Sequence, residues 1–98
     1  MDVHAVIRRL SGARESLQTL GLLHISLFGS TARGETGAAS DVDLAVTLDA
    51  GAKIDLFRFA AISEQVSRLL GARADLVVEP SRNPRMQAQI NRDRLRVF

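Results

Sequence analysis

Apolar residues recur at Val3, Val6, Ile7, Leu10, Ala13 and Leu17. That three-and-four spacing is the signature of a helix with one buried face. It predicts a first helix over Val3–Leu20, stopped by Gly21. His24–Phe28 is short and largely apolar and reads as a strand. Ser30–Gly34 is built of small residues and suits a tight turn running into a helical turn, and Glu35–Ser40 reads as a loop. Asp41–Leu48 reads as the second strand and Asp49-Ala50-Gly51 as a turn. Ile54–Leu70 predicts a second long helix, with a broad apolar face of Leu56, Phe57, Phe59, Ala60, Ile62, Val66, Leu69 and Leu70, ended by Gly71. Ala74–Glu79 reads as a third strand broken by Pro80. Pro84 suits the first position of a third helix, Pro84–Arg92, and Leu95–Phe98 reads as a short final strand. Helices alternate with strands, so the expected class is α/β or α+β: a small mixed sheet flanked by helices, in one domain over residues 1–98.

The totals narrow the function more than the fold. Ninety-eight residues with 46% apolar and 24% charged content suit one small core rather than a disordered chain. Cysteine is absent, which excludes disulfides and thiolate metal sites and fits a cytoplasmic protein. No apolar run reaches about 18 residues, so no transmembrane helix is expected. Arginines interrupt the apolar residues of MDVHAVIRRLSG, which therefore lacks a signal-peptide layout. The expected setting is the cytoplasm, with no membrane partner. The net charge of +2 is carried by arginine, since Lys53 is the only lysine. Arginine suits bidentate contacts with phosphate or carboxylate, although a solvated helix surface is its ordinary use, including for Arg82, Arg85, Arg92, Arg94 and Arg96. With four Phe and neither Trp nor Tyr, the chain has few platforms for stacking bases, and direct nucleic-acid binding is not expected.

The candidate chemistry lies in LFGSTARGETGAASDVDLAV. Asp41 and Asp43 are two apart in a predicted strand and should project to one face, with Val42 and Leu44 on the other. Two carboxylates held side by side repel unless a cation lies between them. Hard oxygen ligands suit Mg²⁺, which usually takes one or two carboxylates plus substrate phosphates. Gly29-Ser30, twelve residues upstream, offers backbone N–H groups and a hydroxyl, which is phosphate-binding chemistry. Gly29 allows close backbone approach, and Ser30 either caps the following helical turn or binds phosphate. Arg33 either contacts phosphate or pairs with Glu35 on the surface. The pattern reads as a metal-dependent nucleotide site. His4 and His24 show no ligand spacing and read as structural or solvated.

This arrangement resembles the minimal nucleotidyltransferase family of the DNA-polymerase-β-like superfamily. Its signature is a Gly-Ser turn, an Arg-Gly shortly after, and Ser-Asp-x-Asp-Leu. Here these stand as Gly29-Ser30-Thr31-Ala32-Arg33-Gly34 and Ser40-Asp41-Val42-Asp43-Leu44. The family's third acidic residue, on a later strand, matches Asp75 in Ala74-Asp75-Leu76-Val77-Val78, and Glu79 on the same strand face is the competing carboxylate. The resemblance covers nearly the whole chain and implies the nucleotidyltransferase fold. It implies transfer of AMP from ATP to a hydroxyl, with two Mg²⁺ ions roughly 4 Å apart stabilising the attacking and leaving oxygens. Asp41 and Asp43 would bind the metal that carries the triphosphate. Asp75 would help bind the second and orient or deprotonate the acceptor hydroxyl. Gly29, Ser30 and Arg33 would bind the nucleotide. Minimal members resemble the antitoxin partners of HEPN-domain toxins, so the implied activity is adenylylation of such a toxin within a complex of the two. A binding-only antitoxin, or a nucleotidyltransferase subunit acting on a small molecule or RNA, is the alternative.

Overall fold

In the computed structural model, which describes residues 2–35 and 41–98, helices α1 (Val3–Gly12) and α2 (Arg14–Leu20) lead into strand β1 (Leu22–Phe28) and a single helical turn, α3 (Gly29–Ala32). Strand β2 (Val42–Leu48), a 3-10 turn (Ala50–Ala52), helix α4 (Leu56–Leu70), strand β3 (Ala74–Val78), helix α5 (Pro84–Asp93) and strand β4 (Leu95–Arg96) follow. Residues 36–40, and with them most of the loop expected at Glu35–Ser40, lie outside the described residues.

The strands form one sheet in the order β3-β2-β1-β4. Strand β1 is antiparallel to both β2 and β4, and β2 is parallel to β3, so the sheet is mixed as expected. A parallel neighbour needs a crossover, and α4 supplies it between β2 and β3. Alternation along the strands divides the sheet into two faces. Ile25, Leu27, Val42, Leu44, Val46 and Leu76 share the main core with Val6 and Leu10 of α1, Leu17 of α2, and Ile62, Val66 and Leu70 of α4. The opposite face carries a smaller cluster, Phe28 and Ala45, closed by Ile90 and Met86 of α5. Three helices thus pack on one face. One helix covers part of the other, and that part-open face is where Asp43 and Asp75 emerge, in alternation with the buried residues of β2 and β3. No helix among the described residues is long and apolar enough to cross a membrane.

Three expectations need correction. The first helix is two, broken at Ala13 (φ −104°, ψ 11°), whose N–H turns back to Leu10 and Ser11. Ser11 and Gly12 are poor helix formers, and the helix breaks there although Leu10 and Leu17 on either side are both buried. Strand β2 begins at Val42, so Asp41 lies just ahead of it rather than within it. The expected apolar face of α4 narrows to Ile62, Val66 and Leu70, with Phe59 and Leu69 at its flank. Leu56 and Phe57 are 85% and 88% exposed. Phe57 is five residues from Ile62, about 140° around the helix, so it cannot share that stripe. Asp55 caps the helix through the Arg58 N–H at 2.7 Å, which fixes its start at Leu56.

Candidate active site

Strand β1 runs fully extended to Phe28 and turns abruptly at Gly29, whose φ is +77°. Phe28 is the register partner of Asp43, so the turn begins directly beside that carboxylate. The approach is close. A Cβ placed on Gly29 would lie 2.3 Å from Asp43 Oδ2 and 3.1 Å from its Cγ. Glycine is therefore needed twice over, for the backbone conformation and for the space Asp43 fills. The sequence suggests only the approach of a nucleotide; the approach of Asp43 is an additional reason. The turn continues as α3, in which Ser30 makes no capping bond, because the cap position is Phe28. The reading of Ser30 as a cap is thus not met. The opening N–H groups of such a turn have no partner within the helix and can meet phosphate oxygens.

Across the parallel ladder Asp43 pairs in register with Asp75, so the two project from adjacent strands to the same face. Burial pushes the Asp43 carboxyl above its ordinary value, and the charges of Asp75 and then Asp41 push it further, while Arg33 opposes them. Two neighbouring carboxylates thus act on a third. Asp41 is partly turned toward solvent, with Arg73 Nε at 3.8 Å as its countercharge. Arg73, on the approach to β3, is a neighbour the sequence did not suggest; its carbonyl accepts from the Val42 N–H at 2.9 Å. Among the described residues no three acidic or imidazole side chains already converge as a metal cage. The fit to a divalent cation lies in the donor set instead: hard carboxylate oxygens around a half-buried Asp43 whose ionised form is opposed by like charges.

Arg33 caps the C-terminal end of α3. Its guanidinium donates to Asp93 Oδ2 at 2.6 Å and to Glu35 Oε2 at 3.3 Å. The surface pair with Glu35 is therefore present, but it is the longer of two. Asp93, sixty residues away, carries no local signal that would have linked it to Arg33.

Glu79 does not join the site. It lies beyond β3, where Arg94 grips it with both terminal nitrogens and Gln87 Nε2 donates at 2.9 Å. Arg94 also donates to the buried Ser26 hydroxyl at 2.9 Å. These residues border a shallow hollow of about 450 Å³ with His24, Thr47, Pro80 and Arg96. His24 Nδ1 lies 3.0 Å from Arg96, and His4 is exposed, so neither histidine approaches the carboxylates. The bond from Arg94, helped by Gln87, holds the Glu79 carboxyl below its ordinary value. Its contribution to stability is therefore complete above the unfolded glutamate value of about 4.3 and is lost as pH falls through the lower folded value. Glu79→Gln should lower the urea midpoint at pH 7, and the gap to the parent protein should close in buffers well below about pH 4. A gap that stays constant with pH would mean that packing, not charge, holds this corner.

Residues 7–97 match the family described as nucleotidyltransferase domain. A protein of Thermococcus cleftensis named protein adenylyltransferase MntA is 37% identical over 68 residues, which cover 69% of this chain and 67% of that protein. A solved structure provisionally described as a minimal nucleotidyltransferase is 32% identical, with a TM-score of 0.69 over 97% of this chain and 95% of that one. A third structure, of an MNT antitoxin in complex with a tri-AMPylated Shewanella oneidensis HEPN toxin, is 19% identical at a TM-score of 0.66, over 94% of this chain and 71% of that one; it shows the shared fold. The mixed sheet flanked by helices agrees with these similarities, and the chain belongs to the nucleotidyltransferase domain family.

Proposed function

We propose that this protein transfers AMP from ATP to a hydroxyl on a HEPN-type toxin protein, silencing it as an antitoxin in the cytoplasm. The observation that carries the reading is the pairing of Asp43 with Asp75 on an open sheet face, with Gly29 packed directly on Asp43. Group transfer from a triphosphate needs charge neutralisation and in-line positioning more than covalent catalysis. Gly29 and Ser30 bind the phosphates through backbone N–H groups and a hydroxyl, and Arg33 adds a fixed positive charge. Asp41, Asp43 and Asp75 are the residues that would hold Mg²⁺, as two ions, and the metal would supply charge neutralisation at the phosphates. Asp75, the most open of the pair, orients the acceptor hydroxyl and accepts its proton. The hydroxyl oxygen forms a bond to the α-phosphorus, the bond from that phosphorus to the bridging oxygen breaks, and pyrophosphate leaves. The names borne by the relatives support a protein as acceptor.

Intact-mass spectrometry of a HEPN-type partner co-expressed with this chain tests the reading. The expected result is a mass gain of one or more AMP units. A partner that stays unmodified yet is fully neutralised would replace transfer by binding alone.

A further inference from the structure

We propose that Asp93, at the C-terminal end of α5, is a positioning residue that holds the Arg33 guanidinium ready for the nucleotide's phosphates. The inference rests on the reading of Arg33 as a phosphate contact.

Asp93 is unusual in its place. It is the last residue of α5, where the helix dipole is negative and a carboxylate is disfavoured. Its side chain is only 5% exposed. A carboxylate in that position persists only with strong compensation, and two arginines provide it. Arg33 Nη1 donates to Oδ2 at 2.6 Å, and Arg92 donates to Oδ1 through Nε at 3.1 Å and to Oδ2 through Nη2 at 3.4 Å. Both oxygens are engaged, and the bonds from Arg92 and Arg33 hold the Asp93 carboxyl below its ordinary range.

The arrangement joins the ends of two distant segments. Arg33 ends the turn that begins at Gly29, and it lies close enough to Asp43 to favour that carboxylate's charged form. Arg33 has five N–H donors, two of which are engaged by Asp93 and Glu35. The others have no partner among the described residues. Glu35 is a loose partner, 65% exposed and 3.3 Å away, and such surface pairs fix little. Asp93 is the rigid one, because α5 is itself pinned to the sheet by Ile90 against Phe28 and Ala45. A long side chain that would otherwise lose much rotamer freedom on meeting phosphate has already been ordered.

A rival account predicts the opposite sign. If Asp93 merely competed with phosphate for Arg33, removing its charge would tighten ATP binding. Calorimetric titration of the full chain with MgATP at 0.15 M salt, where long-range fields are screened, separates the two. Arg33→Gln is expected to weaken ATP binding about tenfold, the scale of one charge-assisted contact. Asp93→Asn is expected to weaken it about fivefold, with Glu35→Gln changing it less than about twofold. The double variant Arg33→Gln/Asp93→Asn should be no weaker than Arg33→Gln alone, because the second change has nothing left to position. If Asp93→Asn does not fold, Asp93→Glu serves, since the added methylene displaces the carboxylate while keeping its charge, and the same coupling to Arg33 is expected. Unchanged or tighter binding by the Asp93 variant, or fully additive losses in the double variant, overturns the inference. No effect of Arg33→Gln overturns the phosphate reading as well. A loss in Arg33→Gln without one in the Asp93 variant overturns the positioning role alone.

Discussion

Asp43→Asn is expected to reduce AMP transfer by on the order of 10³-fold or more while leaving the metal-free protein at least as stable as its parent. The first half follows from the site. Asp43 is the carboxylate on which Gly29 packs and beside which Asp75 stands, so it is the hub of the charge that must hold metal and triphosphate. Removing one well-placed electrostatic group from such a site costs about 10²–10⁵-fold. The second half follows from the direction of its titration. Burial, then the charges of Asp75 and Asp41, raise the Asp43 carboxyl above its unfolded value. A raised carboxyl means that the folded state prefers the proton, so ionising it costs stability, and that cost grows as pH rises from the unfolded value through the folded one. Asparagine keeps the shape and removes that cost. Melting curves at pH 7 in EDTA should therefore show no loss for the variant. Adding Mg²⁺ and ATP should raise the midpoint of the parent protein and leave the variant unmoved. A variant that melts markedly lower in EDTA would show that Asp43 is a structural residue. Normal transfer by it would remove Asp43 from the site.

The sequence makes the centre of this site legible because local periodicity dictates it. Asp43 alternates with Val42 and Leu44, whose burial fixes the face on which the carboxylate emerges. Asp75 alternates in the same way with Ala74 and Leu76. The register that places Asp75 beside Asp43 is a long-range property, and here the family resemblance supplied what periodicity could not. Other features were beyond local reading. Asp41 precedes the strand, and the countercharge beside it, Arg73, lies on a different segment. Arg33 is legible as a partner of Glu35 two residues away, whereas its closer partner Asp93 becomes a neighbour only after α5 crosses the sheet face. Leu56 and Phe57 mislead for a simpler reason: composition marks them as core, but the helix presents them away from the stripe of Ile62, Val66 and Leu70. Gly29 was legible as a phosphate-turn glycine, but not as the floor on which Asp43 rests.

That contact gives the second large effect. Gly29→Ala should reduce AMP transfer at least about 10²-fold and destabilise the fold, whereas Gly34→Ala should only destabilise it. Both glycines have nearly the same backbone, at φ +77° and +76°. Forcing an L-residue into that region costs about 1–2 kcal/mol in either case, which lowers the midpoint of a domain this size by about 4–8 °C per kcal/mol. Their surroundings differ. A Cβ at Gly34 meets nothing among the described residues within 4 Å, while at Gly29 it would sit 2.3 Å from Asp43 Oδ2. The Gly29 variant must therefore move the Asp43 carboxylate as well as strain the turn. Displacement of a reacting group by about 1 Å is enough to cost about 10²-fold. Comparing the two variants subtracts the shared backbone strain and leaves the effect of moving Asp43. Transfer and MgATP affinity measured side by side with thermal melts would decide the matter. Equal losses of transfer in both variants would assign the effect to backbone strain, and near-normal transfer by Gly29→Ala would show that the site tolerates a shifted Asp43.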